Sequence, residues 1–126
     1  MAPEMIKGLG YTKLIDLWGL GILLFEFMCG FVPFGEEEED PYHVYKMILE
    51  EGVDFPEYFD TPENHTVKNF ILKLLNKVPE ARLSGSFASL KSHGWFEDFP
   101  WGKLSDEIIP APFIPKNRNT TKEEID

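Results

Sequence analysis

An all-α fold with an irregular C-terminal tail is predicted for this 126-residue chain by three observations. Leu14 to Cys29, LIDLWGLGILLFEFMC, is apolar apart from Asp16 and Glu26, and a 3.6-residue sweep puts apolar groups on every face, as in a helix buried on all sides. Two further stretches, opening at Pro41 and Pro62, carry apolar residues at helical spacing behind a cap-plus-proline start. From Pro110 the sequence PAPFIPKNRNTTKEEID is proline-rich and then polar, a tail that wraps or frays.

Taken in order, Ala2-Pro3-Glu4-Met5-Ile6 places proline at the first position of a short helix that Gly8 can end. The central helix begins near Thr12, a suitable N-cap, and runs to Gly30, the favoured residue just past a helix end. A membrane span needs about 20 apolar residues, and two carboxylates in hydrocarbon would each cost several kcal/mol. The run therefore reads as a core helix. Asp16 and Glu26 lie about 15 Å apart along its axis. Glu26 can emerge into water, whereas Asp16, between Ile15, Leu17 and Trp18, is expected to be buried and to need several donors.

Phe31-Val32-Pro33-Phe34-Gly35 is an irregular apolar loop. Glu36 to Asp40, EEEED, is read as a solvated approach to the next helix, or else a patch for cations or basic peptides. Asp40 and Pro41 start a helix with Val44, Tyr45, Ile48 and Leu49 on one face, ending near Gly52. An extended VDFPEYF linker leads to Thr61-Pro62-Glu63 and a stripe of Val67, Phe70, Ile71, Leu74 and Leu75, with Lys73 and Lys77 near the C-terminal dipole end and Pro79 closing the helix. A shorter helix spans Ser86 to Ser92, before the aromatic cluster Trp95, Phe96, Phe99 and Trp101.

The net charge of −10 argues against nucleic acid and anionic membranes as partners and leaves cationic substrates open. Cys29 is alone, so no disulfide framework exists, which fits a reducing compartment. The N-terminus lacks the apolar run of a signal peptide, so a cytoplasmic protein is expected, and the Asn64 and Asn119 triplets read as chance matches. His43 has no ligand-spaced companion, and no metal is assigned. Catalytic signals are absent: Gly8/Gly10 and Gly19/Gly21 are only G-x-G pairs, and neither a GxxxxGK[ST] loop nor a nucleophile elbow occurs.

Four segments in register nevertheless point to one family. Ala2-Pro3-Glu4, Asp16-Leu17-Trp18-Gly19-Leu20-Gly21, Gly30-Phe31-Val32-Pro33-Phe34 and Pro79-Glu80-Ala81-Arg82 together resemble the second half of a eukaryotic serine/threonine protein kinase catalytic domain. Lys91-Ser92-His93-Gly94-Trp95-Phe96, Phe99-Pro100-Trp101 and Ala111-Pro112-Phe113-Ile114-Pro115 resemble the domain end and tail of the cyclic-nucleotide-dependent, AGC-type group, nearest to the cyclic-GMP-dependent kinases. Leu83-Ser84-Gly85 departs from the family pattern by an inserted Ser84.

The resemblance implies that residues 1–105 are the C-terminal part of the kinase large lobe, an incomplete helical subdomain, and that 106–126 are the C-terminal tail. The Gly-rich loop, phosphate-pairing Lys, HRD loop and DFG all precede APE in this family, so the chain looks like a fragment that is not catalytic alone. No cofactor is expected for it, with ATP and Mg²⁺ belonging to the full-length kinase. Carried over by position, Glu26 receives a substrate arginine N-terminal to the phosphoacceptor. Met1 contributes to the pocket for the residue after the phosphoacceptor, and Phe31 lies near the peptide groove. Glu4 and Arg82 form a buried ion pair, Asp16 accepts backbone N–H groups of the catalytic loop, and Trp18 and Gly21 complete the structural motif. The partners implied are the remainder of the kinase domain and basic peptides or proteins, with self-association through any surface left exposed. The second functional class is a stand-alone kinase-like module that binds basic peptides.

Overall fold

The computed structural model describes residues 1–10 and 12–116, and among these there is no strand. The first helix, α1 (Pro3–Ile6), starts from extended Ala2 with proline in its first turn. Gly8, at φ +69°, turns the chain away, a conformation that costs glycine nothing. The central helix, α2 (Leu14–Cys29), begins one residue later than Thr12 suggests: Lys13 is the cap, while the Thr12 hydroxyl still accepts the Leu14 N–H at 3.2 Å. Gly30, at φ +92°, closes α2 and donates its N–H to Glu26 O at 2.8 Å. The Tyr58 hydroxyl donates to Cys29 O, using a carbonyl the helix end leaves open.

The expectation of a helix buried on all sides is corrected. Only Trp18, Gly21, Phe25 and Cys29 of α2 are buried, which is one stripe at helical spacing. Leu20, Leu23, Phe27 and Met28 are exposed, Phe27 by 73%. This second face of α2 is apolar as well, and it stands exposed among the described residues.

After α2, Phe34 folds back and stacks on Trp18, with centroids 5.9 Å apart and planes 10° from parallel. The acidic run is an exposed loop in which the Glu36 carboxylate accepts the Val32 N–H and Glu38 accepts the Asp40 N–H. Helix α3 (Pro41–Glu50) has the expected cap, with Asp40 Oδ1 accepting the Tyr42 N–H at 3.0 Å. Ile48 is its buried residue, and α3 packs against α1. Phe55 stacks on Phe59 and meets Phe25 at a tilt. The Asn64 side-chain amide donates to Phe59 O and Thr61 Oγ1, so this residue of the Asn64 triplet is engaged internally.

A 3₁₀ turn, Pro62–Asn64, leads into α4 (His65–Leu74), which crosses α2. Val67, Ile71 and Leu75 join a core built on Trp18 and Phe25, while Phe70 and Leu74 join a second cluster with Leu83 and Leu90. The helix stops at Leu74, before Pro79, because Leu75 leaves helical geometry. Lys77 therefore lies beyond α4. It sits over the Phe34 ring at 4.9 Å and donates to Ile48 O, and burial lowers its pKa.

A 3₁₀ stretch, Pro79–Gly85, presents Arg82 to the core. The next helix, α5 (Phe87–Lys91), is capped by Ser86, whose hydroxyl accepts the Ser89 N–H at 3.0 Å. The Gly94–Phe96 turn and α6 (Trp101–Ser105) hold an aromatic cluster in which Phe96 meets Phe70, Trp95, Phe99 and Trp101 at centroid distances of 4.8–6.0 Å. Residues 110–116 run exposed, Phe113 by 77%. The remainder of the tail, 117–126, and with it Asn119, lies outside the described residues. No described helix is long and apolar enough to cross a membrane.

Candidate functional site: an acidic groove beside a buried ion pair

Helices α1 and α2 diverge around an open groove of ≈ 520 Å³ whose lining includes Met1, Asp16, Trp18 and Glu26. Its wall on α2 is the stripe Ile15, Gly19, Ile22 and Glu26, four or three residues apart in turn, joined by Leu23, with Met5 and Ala2 opposite. The groove is apolar along its length and carries a carboxylate near each end. Its lining contains no Lys or Arg.

Asp16 is exposed here, which corrects the expectation of a buried carboxylate needing several donors. It stands at the first turn of α2, on the side that α4 does not cover, so water solvates it. Glu26 is also exposed. Phe31 packs its ring edge-on to Phe25 at 5.6 Å and is not among the residues that line this groove.

Behind the groove, Glu4 and Arg82 meet across 78 positions of sequence. Arg82 Nη1 and Nη2 donate to the two carboxylate oxygens of Glu4, both at 2.7 Å. Nη1 also donates to Leu14 O at 3.0 Å, and Nε to Asn76 O at 2.7 Å. The guanidinium lies 5.2 Å from the Trp18 ring centre. Arg82 is fully buried, and the bidentate bonds hold the Glu4 carboxyl below its ordinary pKa despite the opposing effect of burial. One residue pair thus ties α1, the start of α2 and the loop after α4 together. Trp18 Nε1 is buried without a hydrogen-bond partner among the described residues. Gly21 faces Leu74 and Leu75, where α2 packs against the end of α4.

Sequence reading missed Ala2, Met5, Ile15, Ile22 and Leu23 as groove residues. The signal was present as a second helical stripe on α2, masked because both faces of that helix are apolar. Asn76 was also missed, since a backbone carbonyl leaves no trace in side-chain pattern.

Residues 1–96 match the protein kinase domain family, and the chain belongs to that family. It corresponds to part of the helical region of a serine/threonine protein kinase catalytic domain. It is 40% identical over 119 residues to a cGMP-dependent protein kinase of Toxoplasma gondii, covering 92% of this chain and 12% of the relative. It is 36% identical over 129 residues to the cGMP-dependent protein kinase of Plasmodium berghei (strain Anka), covering all of this chain and 15% of the relative. The serine/threonine-protein kinase gad8 of Schizosaccharomyces pombe is 39% identical over 116 residues, covering 91% of this chain and 19% of the relative. The chain thus spans less than a fifth of the length of these curated relatives.

The family implies ATP and Mg²⁺ in a full-length kinase. Among the described residues no three His, Cys, Asp or Glu side chains converge to hold a metal ion, and the acidic groove offers the phosphates of a nucleotide no cation.

Proposed function

We propose that this chain is the peptide-binding and structural part of a cytoplasmic serine/threonine kinase that uses ATP and Mg²⁺ to phosphorylate Ser or Thr in basic-residue-containing proteins. Residues 1–105 act as the large-lobe portion and 106–126 as the C-terminal tail. In this reading Glu26 receives a substrate arginine through a bidentate charged contact, and Met1 helps to form the pocket for the residue after the phosphoacceptor. Asp16 and the exposed apolar face of α2 pack against the remainder of the kinase domain, and that face drives self-association when the chain is alone.

The observation that carries this reading is the groove itself, an apolar trough with Glu26 and Asp16 in its wall and no opposing cation. A basic, partly apolar peptide is its electrostatic and steric complement. Lone Cys29 supports a reducing compartment.

The test is Glu26→Gln in the complete kinase. Losing a charged contact of about 1.5–3 kcal/mol should raise KM for an Arg-containing peptide at least tenfold, and leave KM for the Arg-lacking peptide nearly unchanged. Equal effects on both peptides would reduce Glu26 to a structural acid.

A further inference from the structure

A second groove, of ≈ 660 Å³, lies between α4, the Pro79–Gly85 turn and α5, and shares no residue with the acidic groove. Asn69 and Lys73, one turn apart on α4, face Asn76, Ser89, Ser92 and His93 across it. No Asp or Glu lines it, in a chain with 22 acidic residues and a net charge of −10.

The hydrogen bonds here divide unevenly between acceptors and donors. Asn69 Oδ1 accepts from His93 Nε2 at 2.8 Å, and Asn76 Oδ1 accepts the Val78 N–H at 2.9 Å. His93 Nδ1 accepts the Trp95 N–H at 3.0 Å, and Ser89 Oγ accepts the Ser86 hydroxyl at 2.8 Å. The Ser92 hydroxyl donates to Ser89 O at 3.3 Å. The amide oxygens, the imidazole acceptor and the Ser89 oxygen are therefore engaged locally. The side-chain N–H₂ groups of Asn69 and Asn76, the Ser89 O–H and the Lys73 ammonium have no such partner among the described residues.

Unpaired donors beside one positive charge are the complement of an oxyanion. We propose that this groove binds a phosphate group, with Lys73 supplying the charge and Asn69, Asn76 and Ser89 the neutral donors. A planar carboxylate presents two oxygens, whereas a phosphate monoester presents three, and the groove brings donors from three segments, α4, the loop after it and α5. His93 stays neutral, since burial and the nearby Lys73 charge both lower its pKa, and its Nε2–H holds Asn69 so that the amide nitrogen is left for the ligand. With a single fixed charge in an acidic chain, the binding is weak and salt-sensitive.

The test follows the Asn69 and Asn76 side-chain amide resonances of the chain by nitrogen–proton NMR at pH 7.5. Inorganic phosphate and O-phospho-L-serine are titrated separately, against sodium chloride at equal ionic strength. Saturable shifts are expected, with Lys73→Gln weakening them about tenfold or more for the loss of one charge-assisted bond. Lys68→Gln should change nothing, because that ammonium pairs with Asp60 outside the groove. Saturation by both ligands identifies the phosphate group as the recognised unit, and saturation by phosphoserine alone identifies a phosphate carried on a larger molecule. Shifts that only track ionic strength, or that survive Lys73→Gln unchanged, would overturn the proposal.

Discussion

Gly21 lies so close to Leu75 that a Cβ built on it would stand 2.7 Å from Leu75 Cδ2 and 2.9 Å from Leu74 Cβ. At this point α2 contributes no side chain, and those of Leu74 and Leu75 fill the space against its backbone. Gly21→Ala should gain up to about 1 kcal/mol of helix propensity and lose about 1–3 kcal/mol to overpacking, so the loss wins. Thermal unfolding should show a lowered Tm for Gly21→Ala and an unchanged or raised Tm for Gly19→Ala, where none of the described residues lies within 4 Å of an added Cβ. An unchanged Tm for Gly21→Ala would mean that Leu75 swings aside.

The Glu4–Arg82 pair predicts a larger effect. Glu4→Ala leaves a buried guanidinium uncompensated, at a cost of about 3–5 kcal/mol. Glu4→Ala combined with Arg82→Leu should cost less than the two single changes summed, because the orphaned charge disappears with its partner. The pair is also acid-sensitive. Arg82 lowers the Glu4 pKa below its ordinary 4.5, so the stabilisation is complete above the unfolded-state value and is lost as pH falls through the lower folded-state value. Denaturant titrations from pH 6 to pH 3 should therefore fall less steeply for Glu4→Gln than for the native chain.

His93 predicts a milder pH dependence. Its neutral ring accepts the Trp95 N–H through Nδ1 and donates through Nε2 to Asn69, and protonation removes the first bond. Burial, and secondarily Lys73, lower its pKa below the ordinary 6.5. The contribution is therefore present above the unfolded-state value and lost as pH falls through the folded-state value. The His93 ring protons should titrate below pH 6.5, and the Trp95 amide should lose hydrogen-exchange protection in step. Titration above 6.5 would contradict the assigned roles of the ring nitrogens.

The chain by itself is expected neither to bind Mg·ATP with micromolar affinity nor to transfer phosphate. Phosphoryl transfer is largely positioning and charge stabilisation, and the Gly-rich loop, Lys, HRD and DFG groups that perform it in kinases are not among residues 1–126. Calorimetric titration with Mg·ATP, beside phosphate incorporation into an Arg-rich peptide, checks this directly. Turnover that scales with chain concentration would refute it.

What the sequence made legible was local. The Asp40 cap and Pro41 fix the start of α3, and the stripe Val67, Phe70, Ile71, Leu74 and Leu75 is wholly buried, because caps and periodicity act within one helix. The exposure of Asp16 and Phe27 was not legible, since it depends on what stands across from α2 rather than on α2 itself. The short Gly94–Phe96 turn and α6 escaped for a similar reason: aromatic packing onto Phe70 and Phe96 shapes them, not a period. The meeting of Glu4 with Arg82 came from family likeness, because nothing in a separation of 78 residues encodes contact.

Helix α4 gives one edge to each hydrophobic cluster, Val67 and Ile71 to that of Trp18, Phe70 and Leu74 to that of Phe96. Neither cluster can melt while α4 holds its shape for the other. The two cores are thereby coupled into one cooperative unit. The indole of Trp18 in the first and that of Trp95 beside the second report on opposite sides of this shared helix, and their fluorescence should fade at a single denaturant concentration.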